Sequence, residues 1–571
     1  MPELTGGEAV VRMLQLHGLE FAFGMAGYQP LPYYDALARQ RSIRHILIRD
    51  EKHGAFMADG YARIRNRPAV ADATLGPGAT NLISGLAESF GASIPMIALT
   101  GEVNSLISGR AATQESDQFG MIKPTVKMTV PIDRIERVPE LVRRAFTAAN
   151  GGRPGPVHLN VREDVMHGRF DFPESDLYAT PESTGAALRP VRPDGRAVER
   201  AAALLRHARR PVMLVGGGIH LSEGWGEVQR LAELTGMPVT TTMSGKGALA
   251  ETHPLSVGVF GRYSRFGNDL IKAADVLLVV GCKLGEISTS RWTLLPADAI
   301  IIQIDIDPTE LGKVYQTELG VWADARLALS DLSDALEGGR AAMAARARER
   351  AAEIAGRRRK WEQQAAPNYA SDERPIHNAR LLRDLRSVLP DDAIVVADGG
   401  FAAHWSGLLF DTKVAGRSFI ANRGHAAIGY GLSGAIGAKL AAPDRVVVAL
   451  CGDNGFAMAL AELETSRRAG APVVCVVIDN QALGYVKALQ HGLYEDRFIS
   501  VDFLDVDYGA VGRNFGCFGA RVEDPARLGP VLRDAIESGE TAVIDVMVTT
   551  DAARMLPGVD ARAVSKEPAG R

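Results

Sequence analysis

From about residue 5 to 165, short apolar runs at 45–49, 69–73, 96–100 and 156–161 alternate with stretches at 52–65 and 79–91 whose apolar residues recur at helical spacing. Buried strands alternating with helices predict a parallel α/β domain. The stretch holding Pro173, Ser175, Pro181, Ser183, Thr184 and Gly185 has no periodicity and reads as a linker. A second α/β pattern follows, with strands at 211–215, 276–280 and 300–304. Residues 340–364 turn Ala- and Arg-rich at helical spacing, as an exposed connecting helix with a solvated charged face would. A third pattern has strands at 394–397, 446–450, 473–478 and 542–546. The predicted fold class is α/β, with three consecutive doubly wound parallel-sheet domains.

Composition fits this without redirecting it. The 571 residues are too many for one core, and 46% apolar with 23% charged residues is ordinary for a globular chain. A net charge of -4 offers no basic excess for nucleic acid or an anionic membrane. Cys282, Cys451, Cys475 and Cys517 are widely spaced, and three lie in or beside apolar runs, so buried free thiols in a reducing cytoplasm are expected. Residues 1–20 mix Glu3, Glu8 and Arg12 among apolar residues, unlike a signal or transit peptide, and no apolar run approaches membrane-spanning length. The expected partner is a small molecule.

Candidate chemistry is densest after the run that starts at Arg445, which ends on Gly452, Asp453, Asn454 and Gly455, with a helix expected from about Phe456. Ligands of open α/β sheets collect at such strand ends, and glycines followed by a helix N-terminus suit a phosphate. Asp453 would oppose a phosphate unless a cation lay between them. Mg²⁺, a hard ion that prefers oxygen ligands, resolves the conflict. The next predicted strand ends on Asp479, Asn480 and Gln481, after 24 intervening residues counted from Asn454, enough for one helix and one strand, so Asn480 can supply a second oxygen. An ordinary strand-to-helix turn is the alternative reading.

This pairing resembles the signature of the thiamine-diphosphate enzymes, a Gly-Asp-Gly followed some two dozen residues later by Asn-Asn. Asn454 and Asp479 depart from it, while Asp453 and Asn480 keep its chemical types. The resemblance implies Mg²⁺ held by Asp453, Asn480 and the carbonyl of Ala482, with Gly400, Gly452, Asn454, Gly455, Gly484 and Tyr485 near the diphosphate. The family needs an activating carboxylate from another domain. Asp50 and Glu51 open the helix that runs through Gly60-Tyr-Ala-Arg63, where both could favour a helix N-terminus. This segment is similar to the family's activating-glutamate segment, which implies that Glu51 is catalytic. The turn Gly76-Pro77-Gly78-Ala-Thr-Asn81 resembles the family's pyrimidine turn, and Ile428, after His425, stands where the family places an aliphatic wedge under the cofactor.

The resemblance spans pyrimidine-binding (1–170), central (190–340) and diphosphate/Mg-binding (370–550) domains and leaves 551–571 as a C-terminal tail. It is nearest the acetolactate synthase branch, through 114–117, 211–218, 245–254 and 483–487, and it implies a homodimer or homotetramer with shared active sites. Departures fall at 283–287, at Gly400-Phe401-Ala402 and at Leu489. Ser244-Gly-Lys-Gly247 and Ile304-Asp-Ile-Asp-Pro308 also resemble 2-hydroxyacyl-CoA lyase and oxalyl-CoA decarboxylase. Gly216-Gly217-Gly218 could cradle FAD or ADP or be an inert turn. Three functions stay open: a decarboxylating carboligase acting on 2-oxo acids, an acyl-CoA lyase or decarboxylase, and a cofactor-binding homologue without catalysis. Gln114 joins Glu51 as a catalytic candidate, with Tyr28, Gln114, Tyr485, Leu489 and Glu495 as a substrate pocket. His53, His425 and His491 could each be an acid or base, or simply packed or exposed.

Overall fold

The computed structural model describes residues 2–184 and 191–557. Gly185 of the expected linker and most of the expected C-terminal tail lie outside the described residues. Among those described, the chain divides into two compact units. One comprises residues 1–189, 422–447 and 457–473, and the other 190–421, 448–456 and 474–571.

The first unit holds strands β1 (Phe21–Gly24), β2 (Arg44–Leu47), β3 (Ala69–Ala73), β4 (Met96–Glu102), β5 (Met128–Ile132) and β6 (Pro156–Arg162). They form a parallel sheet in the order β2-β1-β3-β4-β6-β5. β3 and β4 are buried on both faces, as parallel strands covered by helices must be. Helix α1 (Glu51–Arg65) starts at the N-cap Asp50, whose carboxylate accepts the Lys52 N–H at 2.8 Å. The helix expected over 79–91 is broken into a short turn of helix, Pro77–Asn81, and α2 (Ile83–Ala92).

The second unit holds two sheets. Strands β7 (Pro211–Val215), β8 (Val239–Thr241), β9 (Ser256–Val259), β10 (Val276–Val280), β11 (Ile300–Asp305) and β12 (Leu319–Trp322) run in the order β9-β8-β7-β10-β11-β12. This is the 3-2-1-4-5-6 order of dinucleotide-binding folds. Strands β13 (Ile394–Ala397), β14 (Phe419–Ala421), β15 (Val447–Gly452), β16 (Val474–Asp479), β17 (Phe518–Val522) and β18 (Ala542–Met547) run β14-β13-β15-β16-β18-β17. That repeats the order of the first sheet, so the first and third sheets are two copies of one topology flanking a different one. Four further helices carry the argument below: α3 (Arg340–Tyr369), α4 (Asn378–Val388), α5 (Tyr430–Ala441) and α6 (Asp453–Ala457).

The predicted strands agree with the observed ones to within two residues at each end. The stretch expected to be a plain linker contains a short helix, Pro181–Thr184, and the helix expected over 340–364 runs on to Tyr369. That helix is not only a solvated face, because Met343, Arg350 and Ile354 are buried. All four cysteines are free and buried, as expected. No described helix is long and apolar enough to cross a membrane.

Buried histidines in the first unit should lower its stability in acid, His158 and His53 more strongly than His17. Burial alone pushes the His158 imidazole on β6 down to about 3. Burial pushes His53 on α1 down to about 4, with Lys52 adding to the effect while Asp50 and the Met458 carbonyl oppose it. Unfolded, both would bind a proton near pH 6.5; folded, they stay neutral well below that. Stability is therefore present above about pH 6.5 and lost as pH falls toward these values, at about 1.4 kcal/mol per pH unit for each group. Unfolding free energies from urea titrations at pH 7 and pH 5 should differ less in His158→Gln than in wild type, by about 2 kcal/mol. Equal pH dependence would remove His158 from the acid response.

Candidate active site

At the N-terminus of α1 two adjacent acids have parted company. Asp50 faces the backbone as a cap, whereas Glu51 is turned inward and only 3% exposed. Its Oε2 accepts a hydrogen bond from Asn81 Nδ2 at 2.9 Å. A Cβ on Gly78 would stand 3.1 Å from Glu51 Oε1, so the carboxylate lies against the 76–78 turn. Gly76 has φ +62°, donates its N–H to Gln118 Oε1 at 2.8 Å, and has no room for a Cβ, which would fall 2.3 Å from the Gln114 carbonyl oxygen. The turn from Gly76 to Asn81 thus brings Glu51, Asn81 and the backbone of Gln114 together, while the Gln114 side chain is exposed.

A second group in this unit was invisible to the sequence. Glu88, on α2 and fully buried, accepts the backbone N–H groups of Gly424 (2.9 Å), His425 (2.6 Å) and Ala426 (3.0 Å). Arg63 of α1 donates to Glu88 at 2.9 Å and also pairs with Asp59, which takes the Tyr430 hydroxyl at 2.6 Å. A buried carboxylate needs such partners. They fix the loop that carries His425, which is exposed, and Ile428, which is half-buried, ahead of α5. Gly60 of α1 lets α5 approach, since a Cβ there would lie 2.1 Å from the Gly434 carbonyl oxygen. His53 contacts Ser433 Oγ at 2.8 Å and the Met458 carbonyl at 3.0 Å, which accounts for it as a packed residue.

In the second unit β15 delivers Asp453 directly into α6, which starts at Asp453 rather than at Phe456. Asp453 Oδ2 and Asn480 Oδ1 both accept the N–H of Ala482, at 3.1 and 3.2 Å, so the two oxygens converge on one point. Burial pushes the Asp453 carboxyl up to about 7, against lowering by the Asn454 N–H and with further raising by Asp479. Burial also raises Asp479, and it pushes Asp545 up to about 8 with Asp479 adding to the effect. Arg521, 4.0 Å from Asp545, already serves Asp505 at 2.8 Å. Asp453 and Asn480 present two converging oxygens of the kind a divalent cation takes, and among the described residues no group of three acidic, His or Cys side chains is placed to hold a metal without further ligands.

Space for an anion adjoins them. A Cβ built on Gly400, at φ +68°, or on Gly452 meets nothing within 4 Å. Gly484 is needed for a different reason, because a Cβ would fall 2.3 Å from Asn480 Nδ2 and against the Phe401 ring. Beside it the Tyr485 hydroxyl lies 3.4 Å from Arg262, and the His404 ring stands edge-on to Tyr485 at 4.9 Å and 3.0 Å from the Tyr263 hydroxyl. The donor set and the open cradle fit a Mg²⁺-diphosphate group.

The chain matches the models of the N-terminal TPP-binding domain of thiamine pyrophosphate enzymes over residues 4–121, the central domain over 198–332 and the C-terminal TPP-binding domain over 398–546. It is 35% identical to a probable acetolactate synthase large subunit of Methanocaldococcus jannaschii, covering 97% of this chain and 93% of that protein. It is 31% identical to the acetolactate synthase isozyme 1 large subunit of Escherichia coli (99% and 98%) and 31% to the acetolactate synthase large subunit of Corynebacterium glutamicum (98% and 89%). The chain belongs to the thiamine pyrophosphate enzymes.

The central domain of this thiamine pyrophosphate enzyme explains two motifs without a ligand. A Cβ on Gly216 would lie 2.2 Å from the Gly281 carbonyl oxygen, and one on Gly218 would lie 2.9 Å from Gly281 Cα, so close backbone packing alone requires these glycines. Lys246, in the stretch that resembles the CoA enzymes, is buried, with Nζ 2.6 Å from both Glu251 oxygens and 3.2 Å from the Gly407 carbonyl. The substrate-pocket candidates have diverse settings. Tyr28 is 63% exposed and stacks near His167, Leu489 is half-buried, and Glu495 is exposed, ends its helix at φ 54° and pairs with Arg497 at 3.1 Å. His491 is likewise at the surface, 2.6 Å from Asp496.

Proposed function

We propose that the chain is a thiamine-diphosphate-dependent decarboxylating carboligase of acetolactate synthase type, which takes a 2-oxo acid and joins its acyl unit to a second carbonyl compound. The observation that carries this reading is the Glu51 carboxylate, buried at the 76–81 turn and held by Asn81, in a chain similar over nearly its whole length to acetolactate synthase large subunits. The cofactor supplies the electron sink that lets a carboxylate leave next to a carbonyl.

In this reading Glu51 would handle the proton that activates the pyrimidine ring, and Gly76, Pro77, Gly78 and Asn81 would hold that ring. Ile428, on the loop that Glu88 fixes, would pack against the cofactor. Asp453, Asn480 and the Ala482 carbonyl would hold Mg²⁺, and Gly400, Gly452, Asn454, Gly455, Gly484, Tyr485 and His425 would bind the diphosphate. Gln114, Tyr28, Leu489 and Glu495 contribute to the substrate side. The glycine run 216–218 carries no argument for FAD or ADP, since packing accounts for it. The test is turnover with a panel of 2-oxo acids and acyl-CoA thioesters. Release of CO₂ with a condensed product from a 2-oxo acid is expected, and turnover of acyl-CoA thioesters alone would overturn the reading.

We further infer that the active enzyme is a homodimer or homotetramer in which the Glu51 domain of one chain serves the Asp453 domain of another. Two-fold assemblies of that kind are the commonest soluble oligomers. Co-expressed chains carrying Glu51→Gln and Asp453→Ala should regain activity in purified mixed dimers, with one intact site in each. Mixed dimers no more active than either folded parent would show that the sites are not shared.

A further inference from the structure

A cleft of about 710 Å³ in the second unit lies where α3 passes between the segment leading into β9 and helix α4. It contains none of the residues assigned above to thiamine diphosphate and none of Gly216–Gly218. Four arginines line it. Arg265 is neutralised by Asp411 at 2.7 Å. The other three bond to backbone carbonyls: Arg358 to His253 (2.8 Å) and Ser256 (2.7 Å), Arg383 to Tyr369 (2.9 Å), and Arg386 to Leu389 (2.7 Å) and Pro390. Among the described residues none of these three forms an ion pair. Of the acids on the wall, Asp411 pairs with Arg265 while also acting on Arg358 and Arg386, and Glu251 pairs with Lys246, so with Glu362 three acids face four arginines and the buried Lys246.

The carbonyl bonds matter in two ways. They fix each guanidinium without cancelling its charge, and they leave N–H donors over, since each group carries five. Arg386 is 9% exposed and its Nε has no hydrogen-bond partner among the described residues. A buried cation with a spare donor is costly until an anion meets it. The wall also carries the aromatic rings of Trp361, Tyr369 and Phe266 with Leu382, beside the polar Thr252 and Ser256. The volume falls in the range that encloses a small organic ligand.

We propose that this cleft is a second ligand site, which binds an organic anion consisting of a carboxylate or phosphate on an aromatic body. The guanidinium groups of Arg358, Arg383 and Arg386 take the anion and the aromatic wall takes the body. Ligand there touches both the central segment and α4 of the diphosphate-binding segment, so it ties the two together.

The test is calorimetric titration of the full-length enzyme loaded with thiamine diphosphate and Mg²⁺. The probes are benzoate and adenosine 5′-monophosphate as the two aromatic anions, with adenosine and inorganic phosphate as the separated halves. Saturable binding of one aromatic anion, one per chain, is expected, and which of the two binds identifies carboxylate or phosphate as the source. The double variant Arg358→Gln/Arg383→Gln should weaken it about tenfold or more, with basal turnover unchanged. Should the double variant fail to fold, Arg383→Gln alone, at an exposed position, serves the same purpose. The proposal is overturned if neither aromatic anion binds saturably or if the variant binds undiminished. It is equally overturned if adenosine or inorganic phosphate binds as tightly as the intact anion.

Discussion

Glu51→Gln is expected to keep thiamine diphosphate bound while slowing exchange of its C2 proton by roughly 10²–10⁴-fold, the usual worth of a positioned acid–base group. The substitution is close to isosteric. The amide oxygen can still accept the Asn81 Nδ2 hydrogen bond, and the contact beneath Gly78 keeps its shape. What disappears is a carboxylate held out of water at 3% exposure. Replacing it by a neutral group removes a desolvation cost, so the variant should melt no lower than wild type. Loss of exchange in a protein of undiminished stability and cofactor affinity therefore isolates proton handling from folding. The measurement is acid-quenched NMR of the bound cofactor after transfer to D₂O. Exchange as fast as in wild type would exclude Glu51 from activation. A shorter carboxylate, Glu51→Asp, should recover only part of the rate, since it withdraws the oxygen from the turn.

How much of this could be read from the sequence depended on whether a signal was local. Strands such as β7 and β10 announce themselves as continuous apolar runs because both faces are buried. Strand β8, three residues long, and β12, with Leu319 and Trp322 partly outside, carry no such run and were passed over. Residues 340–364 looked solvated because Arg dominates them. Yet Arg350 is 4% exposed, and Arg358 bonds to the carbonyls of His253 and Ser256, more than a hundred residues away. Glu88 was hidden for the same reason, since it sits in an apolar helix and its backbone partners lie 336 to 338 positions along the chain. The division of labour between Asp50 and Glu51 became visible only once Asn81 and Gly78 were in place. By contrast, the Asp453 to Asn480 spacing was legible because one helix and one strand necessarily set two neighbouring strand ends side by side.

Asp453→Ala should act oppositely on the empty and the loaded protein. In the empty protein Asp453 is a buried carboxyl crowded by Asp479, and its main protein partners are the Asn454 and Ala482 N–H groups, the latter shared with Asn480 Oδ1. Truncation leaves that shared donor satisfied and relieves a like-charge neighbour, so the apo protein should melt at the same temperature or higher. Loading reverses the sign. A divalent cation between carboxylate and diphosphate turns the same group into the main attraction, and removing one member of a buried charge pair costs about 2–5 kcal/mol, roughly 30- to 5,000-fold in Kd. Chelating Mg²⁺ from wild type should weaken thiamine diphosphate binding in the same way, and chelation should have little further effect on the variant. Calorimetric titration of the cofactor into both proteins, with Mg²⁺ and with chelator, reads all four corners of that cycle, and apo melting curves supply the control. Wild-type binding that survives chelation, or a variant that binds as tightly as wild type in the presence of Mg²⁺, would detach Asp453 and Asn480 from the metal.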